Sequence, residues 1–173
     1  MTTATESDSE VERTRSAATQ RPWMPWLGLI ARLTLGIVAV WAGIAKLVDL
    51  QTSVRAVRAY QLLPEIFVPA VGHALPVVEI IIGALLITGL LTRYAAIVQG
   101  LVMAAFVFGI SWAWARGLNI DCGCFGGGGA LSADEEAQYL LPLLRDIGLV
   151  LGAAYLAWFP KTRFSLDEAL DLN

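Results

Sequence analysis

Residues 27–48 read LGLIARLTLGIVAVWAGIAKLV, an apolar run of 22 residues that holds only two charged side chains, Arg32 and Lys46. At a rise of about 1.5 Å per residue, a helix of this length crosses a hydrocarbon core of about 30 Å. Similar apolar runs lie at about 68–91, 95–115 and 140–159. Because a backbone in lipid must satisfy its own hydrogen bonds, these four runs predict an all-α, polytopic membrane four-helix bundle with both termini on the same side.

The composition of the 173-residue chain agrees with embedding in a lipid bilayer. Apolar residues make up 57% of it and charged residues 16%, against about 25% charged residues in soluble domains. The net charge of −3, with no basic stretch among aromatic residues, gives no support for nucleic-acid binding. Two cysteines and one histidine are too few for a closed four-ligand zinc site within one copy, so no metal site is expected.

The membrane domain is expected to cover residues 23–160, between a disordered, polar N-terminal tail at 1–22 and a short C-terminal tail at 161–173. A polar connection joins the first two spans, and a turn at 92–94 joins the second to the third. Capping-box patterns at 132–135 and 165–168 predict the start of a helix that continues into the fourth span, and either a short amphipathic helix or a frayed end in the C-terminal tail. No segment carries a strand pattern.

The distribution of basic residues predicts the orientation of the bundle. Six Lys and Arg residues flank the side that holds the termini and the 92–94 turn, against four on the other side. Cytoplasmic flanks carry the excess of Lys and Arg, so we expect cytoplasmic termini, an extracytoplasmic 116–139 connection and a location in the cytoplasmic (inner) membrane. The two groups are Arg13, Arg15, Arg21, Arg93, Lys161 and Arg163, and Lys46, Arg55, Arg58 and Arg116.

Both cysteines of the chain, Cys122 and Cys124, lie in this long connection and are separated by Gly123. A disulfide across one residue is strained, because the Cα atoms of bridged cysteines normally lie about 4.4 to 6.8 Å apart. A glycine relieves part of that strain, and the remainder makes the bond more reducible. From spacing alone the pair is an exchanging disulfide, two thiols, a static staple, or part of a metal site completed by a partner or second copy.

Neighbouring residues are expected to shape the loop and to tune its thiols. Asp121, Phe125 and Gly126 flank the pair, and the four glycines at 126–129 would let a partner approach. A reactive thiolate needs a lowered pKa, for which Arg116 or the positive end of a helix that starts at Ser132 are candidates. The charge of Asp121 would oppose that effect.

Glu79 lies near the middle of the second span, where a carboxylate is costly unless it faces the bundle interior and is paired. It is expected either to form a structural ion pair or to handle protons. Its candidate cations are Arg32, Lys46 and Arg145. His73, about two turns earlier, could carry protons between water and a buried site. Asp146 is not expected to share a helix face with Arg145, because adjacent positions on a helix diverge.

Small residues and tryptophans are expected to mark surfaces of the bundle. Ala39 with Gly43, and Gly148 with Gly152, have the four-residue spacing that allows close helix contact, and we expect them to pack within one bundle. Most tryptophans fit an interfacial belt. Trp41 falls mid-span, where it would pack in the core or flank a flat ligand.

Six short elements occur in a characteristic order along the chain: RLTLG at 32–36, AGIAKL at 42–47, AYQLLP at 59–64, LPVVE at 75–79, DCGCFG at 121–126 and LRD at 144–146. This order resembles the methylamine-utilisation MauE family, within the DoxX-like redox-associated membrane proteins. The resemblance covers about 27–158, and its most specific part is the Asp-Cys-Gly-Cys-Phe-Gly string. It implies a four-helix membrane protein that supports disulfide formation or electron transfer to extracytoplasmic proteins, beside a thioredoxin-like or other thiol protein.

Exchange at Cys122 and Cys124 would make the chain a thiol-disulfide oxidoreductase that needs an electron acceptor. Disulfide-forming four-helix proteins such as vitamin K epoxide reductase look similar in plan and use a membrane quinone, which is therefore a candidate cofactor. Those proteins carry a second cysteine pair, which this chain lacks. The leading alternative is a non-catalytic membrane anchor or assembly subunit of a redox complex, with the cysteines as a staple. A transporter is a weaker alternative, because no internal inverted repeat is visible.

Overall fold

Long apolar helices dominate the computed structural model, which describes residues 24–118, 120–123, 129–130 and 139–159. Four helices are long and apolar enough to cross a membrane, so the predicted all-α membrane bundle is confirmed; these spans are Trp26–Val48, Val68–Thr88, Thr92–Ala115 and Leu140–Trp158. Both tails and both capping-box segments lie outside the described residues. In chain order the elements are α1 Met24–Val48, α2 Leu50–Ala59, α3 Val68–Thr88, α4 Thr92–Ala115, β1 Ile120–Asp121, β2 Gly129–Ala130 and α5 Leu140–Trp158.

Helices α1 and α3 approach until their backbones touch, because glycines line the contact. A Cβ added at Gly83 would lie 2.8 Å from the Gly36 carbonyl oxygen, and one added at Gly43 would lie 2.7 Å from the Pro76 carbonyl oxygen. Ala39 lies between these two contacts and is buried. The predicted packing role of Ala39 and Gly43 within one bundle is therefore confirmed.

The second pair of small residues, Gly148 and Gly152, does not form one packing contact. A Cβ at Gly152 would lie 3.7 Å from the Leu35 side chain of α1. Gly148 is exposed and has open space around it, so the packing role predicted for it is wrong. Trp41 is 67% exposed, which excludes core packing, the first of the two roles predicted for it.

One apolar core cluster lies toward the end of the bundle that holds the short turn between α3 and α4. Leu35 of α1 packs there with side chains of α3, α4 and α5, while the outer faces of the helices remain apolar and exposed, as lipid contact requires. The buried members of this cluster are Leu35, Ile82, Leu86, Ala95, Ala96, Ala153 and Leu156.

The turn that joins α3 to α4 lies earlier than the sequence predicts. Gly89 adopts a left-handed conformation with φ 70°, and its N–H donates to the Leu85 and Leu86 carbonyls, which ends α3. Helix α4 then begins at Thr92, directly after Leu91, which also has a positive φ. The predicted turn at 92–94 is wrong, because the glycine ends the preceding helix three residues before that position.

The polar connection between the first two spans contains a helix, α2, that rests on α3. Asp49 caps it by accepting a hydrogen bond of 3.0 Å from the Thr52 amide. Pro76 has no N–H, so the Gly72 carbonyl four residues earlier in α3 loses its usual helical donor. The buried Ser53 hydroxyl donates to that carbonyl at 2.9 Å. A Cβ on Gly72 would lie 2.8 Å from the Cα of Val54, so α2 is in close backbone contact with α3.

A short antiparallel pairing is present although no strand was expected. Ile120 pairs with Ala130 and Asp121 pairs with Gly129. With two residues in each strand, the pairing is too short to leave an alternating pattern in the sequence.

Candidate functional site

The cysteine-containing connection is fastened to the bundle as soon as α4 ends. Gly117 takes a left-handed conformation with φ 63°, and the Leu118 amide donates back to the Ala113 carbonyl at 3.0 Å. The Tyr139 hydroxyl, at the start of α5, donates to the Leu118 carbonyl and accepts from the Ile120 amide at 3.3 Å. Tyr139 thus joins the segment that follows α4 to the start of α5.

Cys122 is held by a second tyrosine. The Tyr60 hydroxyl, at the end of α2, donates a hydrogen bond of 2.9 Å to the Cys122 backbone carbonyl. The half-buried Cys122 side chain packs against an apolar cluster of four residues. That cluster, here called the loop-side cluster, comprises Tyr60, Ile110, Ala113 and Ile120. The first cysteine therefore has a defined place on the bundle.

The chain turns sharply directly after Cys122. Gly123 has φ 64°, a left-handed conformation that a residue without Cβ adopts at little cost. The pairing of Asp121 with Gly129 brings the two ends of the intervening segment side by side. Cys124, Phe125 and Gly126, which the sequence assigns to this site, lie outside the described residues.

Arg116 and Asp121, which the sequence suggests as groups that shift the pKa of the thiols, have different neighbours. The Arg116 guanidinium lies over the Trp112 ring, 5.6 Å from its centroid. Asp121 is exposed, and its carboxylate is 3.5 Å from the Gly123 amide, which is a long hydrogen bond. Ser132 lies outside the described residues. Arg116 therefore stacks on Trp112, a residue of the helix that it follows.

The structure selects Lys46 from the three candidate partners of Glu79. The Lys46 ammonium lies 2.7 Å from each carboxylate oxygen, and the two residues are 3% and 1% exposed. The ammonium also lies 5.2 Å from the centroid of the Phe106 ring of α4. Such a pair, bonded through both oxygens and screened from water, gives the carboxylate the partner that a buried charge at membrane depth requires.

The other two cations lie elsewhere. Arg32 is buried on α1, 14 residues before Lys46 and so about 21 Å from it along the helix axis. Arg145 binds Asp146, with its Nε 2.9 Å from the Asp146 Oδ1. The two residues differ in burial, since Arg145 is 33% exposed and Asp146 is 1% exposed, but the long Arg145 side chain reaches the carboxylate beside it, a contact that the sequence did not predict.

His73 is not on the buried face that carries Glu79. It is exposed, and its Nδ1 lies 2.6 Å from the Pro69 carbonyl oxygen one turn earlier in α3. The structure therefore brings together Lys46 with Glu79, and Tyr60 with Cys122, but leaves Arg32 and His73 apart from either pair.

Sequence reasoning missed three residues that hold this region together: Tyr60, Ser53 and Tyr139. A signal for α2 was available, because Asp49 precedes Thr52 by three residues and apolar side chains recur at 50, 54 and 57. No comparable signal identifies a tyrosine that reaches a backbone carbonyl 62 residues away.

Comparison with known proteins identifies one family. The family model described as "Methylamine utilisation protein MauE" matches residues 24–159, which covers all the described helices. No curated protein and no solved structure matches the chain significantly.

Proposed function

The chain belongs to the methylamine utilisation protein MauE family, and we propose that it is a membrane thiol-disulfide redox protein that exchanges electrons with extracytoplasmic proteins through Cys122 and Cys124. The observation that carries the proposal is the attachment of Cys122 to the bundle through the Tyr60 hydroxyl. A cysteine held in a defined place, beside a glycine with a positive φ and two residues from a second cysteine, is suited to repeated opening and closing of a disulfide.

The proposed reaction is a pair of thiolate displacements. A partner thiolate attacks one sulfur of the Cys122–Cys124 disulfide, so that a mixed disulfide forms and the other cysteine leaves as a thiolate. A second thiol of the partner then displaces the enzyme cysteine. The partner gains a disulfide, and this chain retains two thiols that must give two electrons to an acceptor. The same steps in reverse would reduce the partner.

We place the cysteine loop on the extracytoplasmic side of the inner membrane, with cytoplasmic termini. The basic residues described above favour that orientation, and an oxidising compartment is where disulfides persist. The partner we propose is a thioredoxin-like or other extracytoplasmic thiol protein, whose disulfide chemistry matches that of the pair. A membrane quinone is the proposed electron acceptor.

Labelling of intact cells with a membrane-impermeant thiol reagent tests the side and the redox state together. We expect a mass shift on this chain only after mild prior reduction, which would reveal an accessible, reducible disulfide outside. If lysed cells label readily but intact cells never do, the loop lies inside and the oxidative proposal is wrong.

Cysteine variants separate redox exchange from an anchor or assembly role. Each single variant, Cys122→Ser or Cys124→Ser, should trap a mixed disulfide with the partner, seen on a non-reducing gel and lost on reduction. The double variant should abolish disulfide formation in the partner while leaving the chain in the membrane. Full activity of the partner with the double variant would instead identify a non-catalytic anchor.

A further inference from the structure

An apolar cavity of about 300 Å³ opens between α2, α3 and α4. Its lining is apolar except for the Tyr60 hydroxyl and includes the rings of Phe106 and Phe108. Leu63, Val71 and Phe108 lie on its walls and are also exposed, at 41%, 37% and 60%. The cavity therefore opens on the outer surface of helices that span the membrane, where lipid-soluble molecules have access.

Two residues of the cavity wall also support the cysteine loop. Tyr60 lines the cavity and donates its hydroxyl to the Cys122 carbonyl. Phe106 lines it too and packs, like the Cys122 side chain, against the loop-side cluster. Tyr60 thus belongs both to the cavity wall and to the support of Cys122.

The chain needs an electron acceptor that it does not itself contain. Its only two cysteines are Cys122 and Cys124, so electrons cannot pass to a second cysteine pair. The acceptor must therefore be a separate molecule. A cavity lined by aromatic and aliphatic side chains, of a volume at the lower end for small-molecule sites, favours a flat, apolar ring over a charged, water-soluble acceptor.

We infer that this cavity binds the ring of a lipid-soluble quinone, which oxidises the reduced cysteine pair; the inference rests on the proposed function. Two S–H bonds break and one S–S bond forms. Two electrons and two protons pass to the quinone, whose two carbonyl oxygens become hydroxyl groups. The opening between Leu63, Val71 and Phe108 would leave the tail of the quinone in the surrounding lipid.

Binding of a benzoquinone with a ten-carbon tail to the full-length protein in lipid nanodiscs tests the cavity. Ala105 lines it, so Ala105→Phe should fill it and weaken binding by about tenfold or more. Ala104→Phe is the matched control, since Ala104 is exposed on the same helix outside the lining, and should change binding by less than about twofold. The inference would be overturned if the two variants bound the probe with equal affinity. It would also be overturned if decanol, which has no quinone ring, displaced the probe as effectively as an excess of the same benzoquinone does.

Electron transfer is measured separately, as quinol formed by the pre-reduced protein. Wild type should form quinol, and the Cys122→Ser/Cys124→Ser double variant should bind the probe without reducing it. If wild type exchanges with a disulfide peptide but forms no quinol, the acceptor role is wrong and the proposed function stands. If wild type fails to exchange with the peptide, the proposed function is wrong and the electron-transfer step falls with it, even where Ala105-dependent binding persists.

Discussion

The hydroxyl of Tyr60 donates a hydrogen bond of 2.9 Å to the backbone carbonyl of Cys122, across 62 residues of sequence. This bond joins the end of α2 to the first cysteine of the loop. Because it acts on the backbone, it constrains where the chain turns at Gly123 while leaving the Cys122 sulfur chemically unmodified. Helix α2 thus supports the loop as well as linking two spans.

Removal of this hydrogen bond should loosen the loop. Tyr60→Phe keeps the ring in the loop-side cluster and loses about 1 kcal/mol of local stability. We expect faster hydrogen–deuterium exchange at 120–123, measured by mass spectrometry, with little change in α1 or α3. Tyr94→Phe, an exposed tyrosine at the start of α4, is the control. Equal exchange in the two variants would contradict a role for the Tyr60 hydroxyl.

Breaking the buried ion pair should destabilise the bundle strongly. Lys46→Met or Glu79→Leu leaves one buried charged group without its partner, at an expected cost of about 3 to 5 kcal/mol. The double variant Lys46→Met/Glu79→Leu should recover much of that loss. Unfolding in mixed micelles with increasing dodecyl sulfate measures these changes. Glu65→Gln, which breaks the exposed pair with Arg58, should leave the unfolding midpoint unchanged. Additive effects of the two single changes would argue against direct coupling.

The Ser53 hydroxyl should matter only while residue 76 is proline. Ser53→Ala leaves the Gly72 carbonyl buried without its donor, at about 1 to 3 kcal/mol. In a Pro76→Ala background the residue 76 amide can donate to that carbonyl, so the same change should cost much less. Unfolding midpoints of the four proteins give the coupling. Ser111→Ala is the control. The Ser111 hydroxyl donates to the Val107 carbonyl, which also accepts the Ser111 amide within the helix, so this change should be near neutral in either background.

A methyl group at Gly43 should force α1 and α3 apart. Its Cβ would meet the Pro76 backbone oxygen at 2.7 Å, and backbone cannot rotate away. We expect Gly43→Ala to lower the free energy of unfolding by about 1 to 3 kcal/mol. Gly148→Ala, where nothing lies within 4 Å, should be neutral or slightly stabilising, because alanine favours a helix. Similar losses at both positions would show that the backbone contact is unimportant.

The cap of α2 should depend on pH at the acid end. The Thr52 hydroxyl, then its amide, hold the pKa of Asp49 below the usual value of 3.8. The stability that this cap contributes is therefore fully present above pH 3.8 and is lost as the pH falls through the lowered folded pKa. The amide chemical shift of residue 52 should titrate with a midpoint below 3.8. Thr52→Val removes the hydroxyl donor and should raise this midpoint. A midpoint unaffected by Thr52→Val would contradict the assignment.

The spans could be predicted from sequence because a bilayer imposes length and apolarity on each helix separately. The partner of Glu79 could not, because the choice among Arg32, Lys46 and Arg145 depends on how helices are rotated and offset against one another. The close contacts of Gly36 with Gly83 fix that offset between α1 and α3, and they form only in three dimensions.

The cysteine loop, too, could be predicted from the sequence only in part. The spacing of Cys122 and Cys124 was enough to single out the pair, and the resemblance was enough to suggest redox chemistry. The tyrosines that hold the loop carry no local pattern, since each acts on a backbone group contributed by a distant part of the fold. Contacts of that kind follow from tertiary packing, which a single sequence does not encode in any short window.

The buried ion pair also bears on where Lys46 can lie while the chain is being inserted into the membrane. Helix α1 is synthesised before α3, so Lys46 arrives in the bilayer before the carboxylate that neutralises it. Lys46 lies two residues before the end of α1, close enough for its long side chain to reach the headgroup region in the meantime. Glu79 lies in the interior of α3 and has no such route. We therefore expect Lys46 to stay at the interface until α3 inserts with Glu79 as its counterion, so that the two spans enter the membrane as a pair.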